Sequence, residues 1–302
     1  MKRFASNAAL RMIALLIIAA APGCAVLGSY SPTARFERRG IFQPAKYPKG
    51  DWQPTAVLVQ DAEFAAQDGT KLHGWYVRHA EPKGHALVLH GNAGNVTLLA
   101  ETLRVLNRRH NLAVLALDYR GFGKSEGTPS EQGLYQDARA ARKWLAAKEG
   151  IAESDVILMG VSIGGAVAVD LAAHDGARGL VLSNTFTSLP AAAQHLWPLA
   201  PMNLILSTRM NSLAKIKEYR GPLLISHGDA DEVVPFSQGQ ALYDAAPGTN
   251  KRLFTVPGGK HNDPQPEEYR IALDEFLNQL PPLGTNAVKS ANVNVEATLS
   301  GG

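Results

Sequence analysis

A serine hydroxyl attacks a carbonyl only when it is held exposed beside a base. One serine of this chain sits where that arrangement is easy to build. Residues 160–164 read Gly-Val-Ser-Ile-Gly. The apolar run 156–159 (VILM) leads straight into them, and residues 165–174 (GAVAVDLAAH) leave with helical spacing. Strand, tight turn and helix in that order lift the central side chain above the strand ends, and flanking glycines permit the turn. Ser162 is the candidate nucleophile, and acyl transfer is the chemistry it suits.

Such a nucleophile needs an acid and then a histidine further along the chain. Of nine histidines, only His261 follows all the strand-like segments, in the turn-rich stretch 257–263 (PGGKHND). The acid falls in 227–235 (HGDADEVVP), after the apolar run 223–226, where Asp229 and Asp231 both fit. The attacked carbonyl oxygen also needs N–H donors aimed at it. One is expected from Ile163, next after the serine. The other is expected from the Gly/Asn-rich loop 90–95 (HGNAGN), at Asn92 or, failing that, Ala93. That loop lacks the Gly-Lys-Ser/Thr ending of a phosphate-cradling loop.

These groups lie far apart in sequence, so a scaffold must bring loop ends to one edge. Continuous apolar runs at 85–90, 112–117, 156–159, 180–182, 223–226 and 252–256 alternate with helical patterns at 96–109, 131–148, 165–174 and 267–279. That alternation predicts a mostly parallel α/β sheet covered on both faces. Two β-rich stretches, 56–64 and 71–78, flank an Asp-Gly turn and predict an antiparallel hairpin at its start. Residues 189–213, rich in Leu, Pro and Met, interrupt the rhythm as a small helical cap would. The expected organisation is a leader over 1–23, a tether over 24–54, one domain over 55–281 and a disordered polar tail over 282–302.

Together, HGNAGN, DYRGFGKSEG (118–127), GVSIGG, NTFTSL (184–189) and HGDADEVVP resemble the α/β-hydrolase superfamily. More narrowly, they are similar to its membrane-associated "alpha/beta-hydrolase domain-containing" branch, which includes depalmitoylases and lipid hydrolases. The resemblance covers about residues 56–281. It implies an α/β-hydrolase fold, a triad of Ser162, Asp231 and His261, and oxyanion donors at Asn92 and Ile163. The form H-G-x-x-D-x-x-V-P resembles the acid loop of many members and selects Asp231, leaving Asp229 as a brace of the turn. The stretch 118–121 is expected to buttress the site.

The chain opens as an address. Lys2, Arg3 and Arg11 precede the apolar run 12–21, and the one cysteine, Cys24, follows small Gly23. The layout is that of a secretory signal peptide, and it resembles a bacterial lipoprotein signal in which Cys24 receives the lipid. Val26 stands where an aspartate would retain a lipoprotein at the inner membrane, which favours the outer membrane. Without lipid, the protein is expected in the periplasm.

Composition narrows the rest. The 302 residues carry 30 Lys+Arg against 27 Asp+Glu, a formal charge of +3, with no basic block of the kind that binds nucleic acid. A lone cysteine excludes an intramolecular disulfide and a cysteine metal cluster. The expected activity is hydrolysis of an ester or thioester on a small molecule, a lipid or an acylated protein, without metal or cofactor. Trp197 and Met202 of the cap are candidate substrate contacts. A peptidase on the same triad is one alternative. A catalytically silent envelope lipoprotein that binds partners through the old site is the other.

Overall fold

The computed structural model describes residues 39–284. The expected signal peptide, Cys24 and most of the polar tail lie outside the described residues. Residues up to Gln43 form a unit of their own, of which a helical turn ending at Ile41 is described. The unit from Pro44 onward carries the sheet.

That sheet has eight strands: β1 (Gln60–Ala65), β2 (Lys71–Val77), β3 (Gly84–Leu89), β4 (Leu112–Asp118), β5 (Ile157–Val161), β6 (Gly179–Ser183), β7 (Leu223–Gly228) and β8 (Lys251–Val256). They lie side by side in the order β1-β2-β4-β3-β5-β6-β7-β8. β2 runs antiparallel to both β1 and β4, and every other pair is parallel. This is the mostly parallel, doubly wound α/β-hydrolase sheet with its antiparallel hairpin. The order reverses at β3, and in such a sheet the crevice for a ligand opens beyond the strand carboxyl ends at that point. The registers Leu89↔Gly160 and Val161↔Ser183 bring the ends of β3, β5 and β6 level there.

Both faces of the central strands are covered, which is why β3 and β4 are apolar at nearly every position instead of alternating. On one face, Trp75, Val88, Val114 and Met159 meet Leu103 and Leu106 of α1 (Ala100–Arg108) and Tyr269, Leu273 and Phe276 of α8 (Glu267–Asn278). α2 (Glu131–Glu149) and α3 (Ile163–Asp175) pack on each other and on the sheet. Ser130 caps α2 by accepting the Gly133 N–H at 3.1 Å. Beside it, buried Arg120 donates to Asp137 through Nη2 at 2.7 Å and to Asp68 through Nη1 at 2.8 Å.

Three short helices form the insertion between β6 and β7: α4 (Leu189–Leu196), α5 (Met202–Ile205) and α6 (Ser212–Lys215). Its two ends are tied together. The Leu189 N–H donates to the Arg209 carbonyl, and the Leu213 N–H to the Thr187 carbonyl, both at 2.9 Å.

The structure departs from the sequence reading in six places. α3 begins at Ile163, immediately after the serine, rather than at Gly165. Helix α7 (Phe236–Ala245) has no predicted counterpart, because only Gln238, Gly239 and Leu242 are buried and no apolar stripe announces it. The helix expected over 96–109 starts as a 3₁₀ turn, Val96–Leu99, capped by Asn95. β1 starts at Gln60 rather than Ala56, because the chain bends over residues 55–57 as Val57 enters the core. Residues 44–54, expected as tether, belong to the body. The Asn95 amide donates to the Ala45 and Lys49 carbonyls at 3.0 and 2.8 Å, and Trp52 packs edge-on against Trp75. The tail stays on the body as far as Gly284, whose N–H donates to Asp155 at 2.9 Å.

Candidate active site

Ser162 has φ 53° and ψ −118°, a conformation that a residue with a Cβ adopts only when its surroundings impose it. The surroundings are backbone. The Ser162 N–H donates to the Ser183 carbonyl at 3.0 Å, and the Ser162 carbonyl accepts the Gly165 N–H at 3.0 Å. The glycines on either side follow from close approach. A Cβ on Gly164 would fall 2.0 Å from the Leu89 carbonyl oxygen, and one on Gly160 would fall 2.2 Å from the Gly164 carbonyl oxygen.

His261 sits on the loop between β8 and α8. Its Nε2 stands 3.2 Å from Ser162 Oγ, and its Nδ1 lies 2.8 Å from Asp231 Oδ2. The other oxygen of Asp231 accepts the N–H groups of Val233 and Val234 at 2.8 and 2.9 Å. Burial opposes ionisation of this carboxyl. The His227 and His261 imidazoles and the Val234 N–H outweigh it and hold Asp231 well below the usual carboxylate range. His227 Nε2 donates to the Val234 carbonyl at 2.8 Å, bracing the acid loop. A hydroxyl, an imidazole and a carboxylate in this chain can move the serine proton onto a ring whose far nitrogen is already oriented.

The second aspartate does something else. Asp229 Oδ1 accepts the Gly258 N–H at 2.6 Å, tying the acid loop to the loop that carries His261.

Loop 90–95 runs beside the serine: a Cβ on Gly91 would sit 3.7 Å from Ser162 Cβ, and Asn92 follows. The loop is fastened at both ends. Tyr119 Oη donates to the His90 carbonyl at 3.2 Å, and Asp118 Oδ1 accepts the Val96 N–H at 2.9 Å. Burial lowers the His90 pKa, and the ring donates through Nδ1 to the Gly91 carbonyl at 2.8 Å. Across from it, Ile163 is the first residue of α3, so its N–H has no acceptor within the helix.

The two cap residues expected to contact substrate differ in exposure. Met202 is 2% exposed, inside the cap, and Trp197 is half-buried at the end of α4. Two other apolar residues of the cap are the exposed ones: Leu199 is 100% exposed and Leu204 85%. Among the described residues, no group of three or more His, Cys, Asp or Glu side chains is placed to hold a metal ion. Asn184 and Thr185, at the end of β6, contact the backbone of the serine and histidine loops. Their string, NTFTSL, contributes to the family resemblance, but nothing in its types or spacing says what these two side chains hold, because their partners are backbone groups.

The family model described as serine aminopeptidase, S33, matches residues 80–215 and 202–263. The chain is 37% identical over 253 residues to protein Rv2307c of Mycobacterium tuberculosis, covering 82% of this chain and 89% of that one. It is 32% identical over 226 residues to the alpha/beta hydrolase domain-containing protein WAV2 of Arabidopsis thaliana, covering 68% and 73%. Among solved structures, the Pyrococcus furiosus esterase Pf2001 is similar with a TM-score of 0.68 at 22% identity, covering 80% of this chain and 98% of that one. An eight-stranded sheet of this order, a strained serine between β5 and α3 and these matches lead to one assignment. The chain belongs to the α/β-hydrolase superfamily, in the family of the serine aminopeptidase, S33, model.

Proposed function

We propose that the protein is a serine hydrolase that cleaves a carboxylic ester or thioester through Ser162, His261 and Asp231. The observation that carries this reading is the unbroken chain from Ser162 Oγ through His261 to Asp231, at 3.2 and 2.8 Å. Ser162 Oγ bonds to the acyl carbon while its proton passes to His261 Nε2. The carbonyl oxygen takes the negative charge and is met by the N–H groups of Ile163 and Asn92, with Ala93 as the alternative second donor. Collapse of this intermediate breaks the bond to the alcohol or thiol, which leaves with the proton from His261. Water then gives a proton to His261 and attacks the acyl-enzyme, releasing the acid and restoring Ser162. Asp231 keeps the imidazole oriented and offsets its transient charge.

An acyl-chain or lipid-like substrate is supported by exposed apolar side chains on the residue before the serine and on the cap. Val161, next to Ser162, is exposed, as are Leu196, Leu199 and Leu204 of the cap. Residues 189–208 contain no Asp, Glu, Lys or Arg. Trp197 is the cap residue proposed to touch the chain. A fluorophosphonate probe should label the wild-type protein and leave Ser162→Ala unlabelled. A series of p-nitrophenyl esters should show a rise in kcat/KM with acyl length. Failure of the probe to label Ser162 in folded protein would overturn the reading.

The description of the matching family model favours a second reading, a peptidase on the same three residues. Aminoacyl p-nitroanilides turned over faster than any ester would establish it. For the location, we infer export to the envelope and a lipid on Cys24, supported by the basic and apolar runs that precede it. Incorporation of labelled palmitate that is lost in Cys24→Ala would bear this out.

A further inference from the structure

We propose that Asn184 and Thr185 are positioning residues that together fix the distance between Ser162 and His261. This rests on the hydrolase reading above. The two residues close the carboxyl end of β6, between the strand that leads to the serine and the strand that leads to the acid. Neither touches a reacting atom. Each holds the backbone of a residue that does.

Asn184 has φ 46°, a region that asparagine enters more readily than most residues with a side chain. In that conformation its N–H donates to the Ser226 carbonyl at 3.0 Å, and Oδ1 accepts the Gly228 N–H at 3.1 Å. The side-chain oxygen thus carries the parallel ladder to β7 one step past the last strand residue. The amide nitrogen then reaches over β7 and donates to the His261 carbonyl at 2.8 Å. The carboxamide, with a donor and an acceptor on one planar end, does both.

Thr185 works on the other partner. Its Oγ1 donates to the Ser162 carbonyl at 2.7 Å. α3 makes room for it, since a Cβ on Gly165 would lie 2.5 Å from Thr185 Cβ and Oγ1. Both side chains are buried, so water does not substitute for either bond.

Two adjacent residues therefore fasten the carbonyl of the serine and the carbonyl of the histidine to one strand end. The span they set is short of slack. Ser162 Oγ and His261 Nε2 are 3.2 Å apart, at the outer limit of about 3.2 Å for direct proton transfer. A displacement of about 1 Å in such a pair costs on the order of 100-fold in rate.

The test uses Thr185→Val, which removes the hydroxyl and keeps the shape, Thr185→Ser, which restores it, and Asn184→Gly, which tolerates the positive φ. kcat, KM and the rate of fluorophosphonate labelling are measured on folded protein, well below each variant's Tm. We expect Thr185→Val and Asn184→Gly each to lower kcat and labelling about 10- to 100-fold with KM changed less than about threefold. Thr185→Ser should recover most of the loss. The double variant should lose little more than the worse single one, because both act on one distance. A lower Tm with unchanged kcat and labelling would make the pair merely structural and overturn the inference, and so would fully additive losses. If Asn184→Gly does not fold, Thr185→Val and its serine rescue decide the matter. A wild-type protein labelled at Ser162 alongside fully active variants sinks this inference alone. A wild-type protein that neither labels nor hydrolyses sinks the hydrolase reading with it.

Discussion

Asp229 and Asp231 are separated by one alanine yet serve different partners: Asp229 accepts the Gly258 N–H at 2.6 Å, and Asp231 meets His261 Nδ1 at 2.8 Å. Asp231→Asn should therefore cost about 10⁴-fold in kcat, through the wrong histidine tautomer. Asp229→Asn keeps an acceptor for Gly258 and should cost less than about tenfold. Steady-state kinetics on the two variants check the assignment, and a larger loss at Asp229 would reverse it.

The strain at Ser162 has its own consequence for stability. Ser162→Ala and Ser162→Gly should both abolish turnover. Only glycine takes φ 53° without strain, so Ser162→Gly should be the more stable by on the order of 1 kcal/mol. Urea unfolding of the two inactive variants measures the difference directly. Equal midpoints would mean that the turn stores no strain.

Acid should weaken the fold through Asp231. Its folded pKa lies below the unfolded one, so it stabilises the native state above the unfolded carboxylate value, about 3.9, and that contribution fades as pH falls below it. Asp231→Asn removes the contribution at every pH. The gap in stability between wild type and variant should thus narrow between pH 5 and the most acid pH at which the protein stays folded, as followed by thermal unfolding across pH.

Arg120 and Asp137 are a buried pair, with Arg120 donating to both carboxylate oxygens. Burial already pushes the Asp137 carboxyl up despite those bonds. Arg120→Ala would remove every guanidinium bond and leave Asp137 only the main-chain N–H of residue 120 at 2.7 Å, so the loss should be about 3–5 kcal/mol, well above that for breaking the exposed pair of Arg104 and Glu101. Chemical denaturation of Arg120→Ala and Glu101→Ala gives the comparison.

Packing and the proposed substrate contact of the cap can be tested separately. Met202→Ala should lower stability by about 2–5 kcal/mol, since its side chain is buried. Leu199→Ser and Leu204→Ser should leave Tm unchanged and flatten the dependence of kcat/KM on acyl length, at about 0.8 kcal/mol for each CH₂ no longer buried. An unchanged chain-length profile would remove Leu199 and Leu204 from substrate binding.

Much of this site was legible because it is written in short contiguous strings. Gly160, Ser162 and Gly164 announce a turn by their own types, and the strands around them are apolar on both faces. What was not legible works across distance. Residues 44–54 look like a linker because their anchors, the Asn95 amide and the face of Trp75, lie tens of residues away. α7 hides because Gly239, a poor helix former, is needed where a Cβ would come within 2.4 Å of His227 Nδ1. The roles of Asn184 and Thr185 hide, although their string was noticed, because they act on backbone groups, which every residue has.

The closed base of the insertion between β6 and β7 makes it a replaceable part. Leu189 bonds Arg209 and Leu213 bonds Thr187, so the chain leaves and re-enters the body through one narrow neck. Lengthening or shortening what lies above such a neck costs little, about 0.6 kcal/mol for each doubling of loop length. A lineage can therefore exchange this lobe wholesale while Ser162, Asp231 and His261 keep their places. Grafting a lobe from a relative onto residues 189 and 209 is the engineering counterpart, a route to new acyl preferences that leaves the sheet untouched.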